Sequence, residues 1–376
     1  MTSILVLIAV WLVPNVWCTV HCARSELTQQ KKAVLIIGIW LIPILGVTFA
    51  YWEIPRGHQF SADPLPRAGQ AAAKPERAPD VIETDERGPF SMLDHLSVAN
   101  GLPVLNWRAL EEWAGGNSDA IELGRRAWLL HLRDAMPPPL HLHESPDALV
   151  LSAFSRITAK SAAHCVANVR ERIGQMLGGI AEQPSGKHSI LIVTNDADSF
   201  HNYVSIYPSK AHLADSTRGV FINLGCPHLI TVHENLWTLE PVIAREMTRG
   251  SIEHLELPLW LEEGIAVHTA NQIAISGRDA GDSAATTANH RAYWNAERFQ
   301  EFWSGKSFQG TEQAHALSRD LARSIVERLA RDQTSFAEFV TNASRDDGGA
   351  AAALGLLKQD LGSIAAAALN LTPHGA

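Results

Sequence analysis

Cysteine is scarce in this chain, with four among 376 residues, at positions 18, 22, 165 and 226. They do not form a metal-ligand set. Cys165 and Cys226 are the pair a disulfide would use in an oxidising compartment, and their spacing does not show that they meet. The G-x-S-x-G elbow of serine hydrolases is missing. Cys226 in Gly225-Cys226-Pro227-His228 has a histidine close by, but two residues along a strand end give poor geometry for a nucleophile and its base. There is no internal repeat and no basic patch. Thirty-one Lys and Arg against 40 Asp and Glu leave a net charge of -9, so no nucleic-acid partner is expected. What is present is 46% hydrophobic residues, enough for a packed body and a further segment.

Charge is also absent from residues 1–20, and 33–52 is a second uncharged run. Each is long enough to cross a bilayer as a helix. The first run lacks the basic start of a cleaved signal peptide. The loop between them carries Arg24, Lys31 and Lys32 against one acid, Glu26. The positive-inside tendency therefore makes the 21–32 loop cytoplasmic. The expected organisation starts with a transmembrane hairpin over 1–55, contacting the lipid bilayer through 3–20 and 33–52. A disordered linker rich in Pro, Ala and charge follows over 56–89. A helical N-terminal region over 90–185 comes next, with helical patterns at 106–114, 120–135 and 161–178, and then a second region over 186–376. In a bacterial inner membrane this arrangement places the large domain in the periplasm.

The hairpin resembles the N-terminal membrane module of cardiolipin synthases and related phospholipase D proteins. The resemblance rests on a short basic loop and the run Trp40-Leu41-Ile42-Pro43-Ile44-Leu45-Gly46 with Tyr51. It covers the anchor alone. Phospholipase D chemistry needs H-x-K, and none of the 17 histidines is followed two residues later by lysine.

Residues 241–268 read PVIAREMTRGSIEHLELPLWLEEGIAVH. With its Glu246 and its Trp260-Leu261-Glu262-Glu263-Gly264, the segment resembles the active site of gluzincin-type zinc metallopeptidases. Those carry H-E-x-x-H on one helix and a glutamate on the next. The resemblance extends over about residues 145–370. It takes in a buried strand within 187–194, an edge strand at 219–224 (GVFINL), and 312–329, 336–339 and 346–354, which resemble the helical C-terminal half; helices are read at 312–331 and 335–343, with an alanine-rich close at 348–371. It implies that Glu246 holds the general-base position and Glu263 the third metal-ligand position. It also implies that His315, on a downstream helix, stands where such enzymes stabilise the developing oxyanion. The bland reading of His315 is a helix-surface histidine, and of the two glutamates, surface carboxylates on unrelated helices.

The two histidines are missing. Arg245 and Arg249 stand in their places. Histidines at i and i+4 share a helix face and can hold one metal. A guanidinium has no free lone pair and does not deprotonate, so arginine cannot replace them. Zinc with two neutral histidines presents two positive charges to the glutamates, and two arginines present the same total. Arg249 and Arg245 are therefore expected to pair with Glu263 or Glu246 where the metal would sit. The alternative is a solvated helix face. His254 and His268 stand at spacings that restore no convergent pair, and His233-Glu234 is followed by Trp237 where a second histidine would be needed. His141 and His143 read as loop residues beside the 137–139 proline run, Tyr203 and Tyr207 as part of a loop-rich stretch, and 277–287 as a loop. No cofactor is expected, zinc being ancestral.

The expected fold class is α+β, a two-helix transmembrane hairpin plus a mostly helical gluzincin-like domain with a small mixed sheet. The expected function is that of a membrane-anchored, extracytoplasmic, metallopeptidase-like protein without catalysis, binding a polypeptide or partner protein through the retained cleft. An active zinc-dependent peptidase with non-standard ligands and a membrane-complex scaffold are the alternatives.

Overall fold

Ala148-Leu149-Val150-Leu151 and Ile190-Leu191-Ile192-Val193 are runs without a polar residue, as expected of strands covered on both faces. The computed structural model bears this out. It describes residues 76–183, 186–208, 218–232, 235–274 and 284–369, with side chains of the last stretch from 288 onward.

Two short antiparallel hairpins come first: β1 (Val81–Thr84) with β2 (Arg87–Ser91), and β3 (Leu96–Ala99) with β4 (Leu102–Leu105). Helices α1 (Trp107–Ala114) and α2 (Ser118–Ala135) follow, capped by Asn106 and Asn117, whose side chains accept from the backbone three residues on. Then come β5 (His141–Glu144), β6 (Ala148–Ser152), α3 (Arg156–Leu177), β7 (Ser189–Thr194), α4 (Ala197–Val204), β8 (Gly219–Ile222) and β9 (His228–Val232). The five later strands form one mixed sheet in the order β5-β6-β7-β9-β8. The central pairs β6–β7 and β7–β9 are parallel, and the flanking pairs are antiparallel.

Alternation along these strands sorts the core into two layers. Ala148, Val150, Leu191, Val193, Phe221 and Leu229 point to the side of α3, while Leu149, Leu151, Ile190, Ile192, Val220 and Ile230 point to the side of α2 and α4. The α3 side continues into α5 (Leu236–Ile252), α6 (Leu259–Ile273), α7 (Ala284–Tyr293), α8 (Ala296–Trp303), α9 (Glu312–Leu329), α10 (Gln333–Asn342) and α11 (Leu361–Ala368).

Several sequence expectations change here. The α+β class with a mixed sheet describes residues 76–376, but the transmembrane hairpin does not belong to it. Among the described residues no helix is long and apolar enough to cross a membrane. The longest, α3, carries Arg170, Glu171 and Arg172 in mid-helix, and the most apolar, α11, has only eight residues. The runs 3–20 and 33–52 lie outside the described residues. The membrane contact, the inner-membrane anchor and the periplasmic placement that rested on them are withdrawn. Residues 81–84, read as linker, form β1. The sheet takes strands from both sides of the boundary drawn at 185, and residues 76–376 make one compact unit. His141 and His143 lie on β5, Tyr203 lies on α4, and 284–287 begin α7.

Candidate functional site

Each helix of the site has a local reason to start where it does. The Asn235 side chain accepts from the Thr238 amide to cap α5, and Pro258, with φ of -53°, leads into α6. Thr311 accepts from the Ala314 amide to cap α9. Trp260 fixes the start of α6. It is fully buried, packs edge-on against Trp303, and its indole N–H donates to the Gly348 carbonyl at 2.9 Å.

Two glycines set the close approaches. A Cβ at Gly264 would stand 2.6 Å from the Ala322 carbonyl oxygen, so only glycine lets α6 and α9 pack this tightly beside Glu263. A Cβ at Gly250 would stand 2.3 Å from the Phe221 ring. Its absence lets β8, at the edge of the sheet, lie directly on α5.

The two glutamates are each 2% exposed. Arg249 reaches across from α5 and pairs with Oε2 of Glu263 on α6. Arg319, from α9, pairs through Nε with Oε1 of the same carboxylate at 2.8 Å. Arg245 donates from Nε to Oε1 of Glu246 at 2.8 Å, within α5. Glu263 thus sits between two guanidinium groups from two helices, while Glu246 has its own. Arg249 ties α5 to α6; Arg245 pairs with its chain neighbour and ties no helices together. Sequence reasoning missed Arg319. Its spacing of four from His315 on an amphipathic helix is the one signal that points to it.

His315 lies on α9 one turn before Arg319. Its imidazole pKa is lowered, first by burial and then by the positive charges of Arg319, Arg245 and Arg249. A cavity of about 380 Å³ opens beside the cluster, with Glu246, Arg249 and Gly250 on one wall and Phe221, Pro258 and Trp303 on others.

Zinc, which the gluzincin resemblance implies, does not fit these residues. Two of the three ligand positions are guanidinium groups, and the third, Glu263, is occupied by two of them. Among the described residues no group of three His, Cys, Asp or Glu side chains is placed to hold a metal ion. His254 lies in the turn after α5, 3.8 Å from Glu182. His268 lies on α6, its pKa lowered mainly by burial, with Glu327 opposing. His233 and Glu234 lie outside the described residues.

The Cys226–His228 motif makes no catalytic pair. His228 is fully buried on the α2 side of the sheet. Its Nδ1 bonds the Cys226 carbonyl oxygen at 2.7 Å and its Nε2 bonds the Tyr203 hydroxyl at 2.7 Å. Burial lowers its pKa to about 4, opposed by the Cys226 backbone bond, and raises the Cys226 thiol to about 12. Cys165 and Cys226 are both free and belong to opposite sides of the sheet.

Compared with known proteins, the chain matches no family model and no curated protein.

Proposed function

We propose that this protein is a metallopeptidase-like binding protein. It carries out no metal-dependent catalysis and takes a polypeptide or a partner protein into the cleft bounded by β8, α5 and α6. The observation that carries the reading is the occupation of Glu263 by Arg249 and Arg319 beside a cavity that reaches Glu246. Where a gluzincin holds zinc, this chain holds permanent cations that neither ligate a metal nor activate water. The cavity remains open to a ligand, with apolar walls at Phe221, Pro258 and Trp303.

The catalytic half is tested by metal analysis of the protein purified from zinc-supplemented cells. Zinc is expected far below one per chain, and one tightly bound zinc per chain overturns it. The binding half is tested by hydrogen exchange with a tryptic digest of casein as the source of unfolded peptides. Slowed exchange is expected in β8, α5 and α6. Exchange unchanged there at millimolar peptide overturns it.

A further inference from the structure

The cavity has five charged side chains on its walls, and three of them are already engaged. Glu246 takes Arg245 on its Oε1, Arg249 takes Glu263, and Glu253 makes a contact of its own. Glu262 and Arg345 remain, one of each sign. Among the described residues neither forms an ion pair, with the other or with a third group, although both face the same space.

Each of the two is fixed at the rim. Glu262 stands in the first turn of α6 and is half-buried. Arg345 is exposed, but its Nε donates to the Leu257 carbonyl at 3.2 Å, and Leu257 lines the cavity too. That bond spends Nε and leaves the terminal nitrogens, which match a planar carboxylate. Much of the remaining wall is apolar, with Phe221, Leu257, Pro258 and Trp303. At about 380 Å³ the cavity lies at the small end of ligand pockets, which run from roughly 300 to 1,000 Å³. It suits about two residues of a peptide. A ligand of a single charge satisfies one of the two rim groups and is repelled by the other. A ligand with an ammonium at one end and a carboxylate at the other satisfies both.

We infer that the cavity is a site for a free dipeptide, its α-ammonium on Glu262, its carboxylate on Arg345 and its apolar side chain against Phe221 and Trp303. The inference rests on the polypeptide reading of the cleft and gives the length of the bound peptide and the groups that hold its ends. The Glu263 cluster then has a structural part, closing the ground beside the cavity, while selection falls to the two unpaired groups at the rim.

The test titrates Ala-Leu, N-acetyl-Ala-Leu and Ala-Leu amide into the whole protein, with the backbone amides of Gly250 and Leu259 followed by NMR. Ala-Leu is expected to move both signals and, at low salt, to bind about fivefold more tightly than either blocked form. High salt is expected to narrow that difference. Glu262→Gln is expected to abolish the preference for the free amine and keep the preference for the free acid. Arg345→Gln is expected to do the reverse. Equal binding of all three peptides overturns the dipeptide site and leaves the polypeptide reading standing. A loss on blocking one end alone overturns the two-ended assignment. Binding of none of them, or signals that move elsewhere and not at Gly250 and Leu259, also overturns the inference. In that case slowed exchange with casein peptides in β8, α5 and α6 keeps the polypeptide reading, and unchanged exchange removes both. The three peptides are compared on the unaltered protein, so the test does not depend on either variant folding.

Discussion

The two sides of the central sheet bury polar groups by opposite means. On the α2 side, His228 and Tyr203 are buried uncharged. Desolvation lowers the imidazole pKa to about 4 and raises the phenol well above its ordinary value, and each neutral group finds a partner. On the α3 side, the Glu263 cluster is buried ionised and survives by pairing. A neutral network costs little and asks for nothing further. A charged one is often no more stable than an apolar core of the same volume, yet removing one partner from it is costly. A third case sharpens the contrast. Glu122, also buried, accepts from Arg125, the Lys187 amide and His188, with one guanidinium to one carboxylate. Among the described residues of these three sites, Glu263 is the carboxylate shared by two guanidinium groups.

That contrast breaks most sharply at Glu263. Glu263→Ala takes from Arg249 and Arg319 the carboxylate they share, and a loss of about 3–5 kcal/mol is expected in urea unfolding. A neutral result removes the claim that the pairing holds the helices together. The neutral side is tested by acid. Folded His228 titrates near 4 while the unfolded chain takes up its proton near 6.5, so the unfolded state binds protons first. Stability is then full above pH 6.5 and falls by roughly 3 kcal/mol as pH drops to 4. His228→Gln is expected to flatten that slope; an unchanged slope assigns it to other groups. Gly264→Ala forces a methyl against the Ala322 carbonyl and is expected to cost about 1–3 kcal/mol, with α6 displaced from α9 in a crystal structure. Trp260→Phe removes the indole bond to Gly348 and is expected to cost about 1 kcal/mol or slightly more by thermal unfolding. Trp260→Phe removes a bond between neutral groups, so its cost is expected to change little with salt, while that of Glu263→Ala shrinks.

Much of the site is legible in the sequence because it is local. The i, i+4 spacing places Arg245 and Arg249 on one face of a helix that runs over Leu236–Ile252, and Trp260–Gly264 opens the next helix. The edge strand within 219–224 appears as β8 at the rim of the sheet. The rest depends on distance in the chain. Arg319 reaches Glu263 only because Gly264 admits α9, a fact of helix packing that periodicity does not record. Strands β6 and β9 have five residues each, too few for periodicity to tell a buried strand from a helix. Tyr203 and His141 have loop-like neighbours in sequence, while the partners that order them lie elsewhere in the chain. Residue 228 looks reactive beside Cys226, yet its ring nitrogens are spent on a carbonyl and a phenol, and the phenol lies outside the motif.

The contact between Phe221 and Gly250 has a dimensional consequence. One wall of the cavity is carried by the sheet and another by a helix, and the two are spaced by a single aromatic ring resting on bare backbone. The bore of the cleft is therefore a property of two residues on different elements and can be changed without touching a charge. A smaller side chain at 221 lets the edge strand settle toward α5. A larger one at 250 props it away, which makes this pair a width adjustment independent of whatever the arginines select.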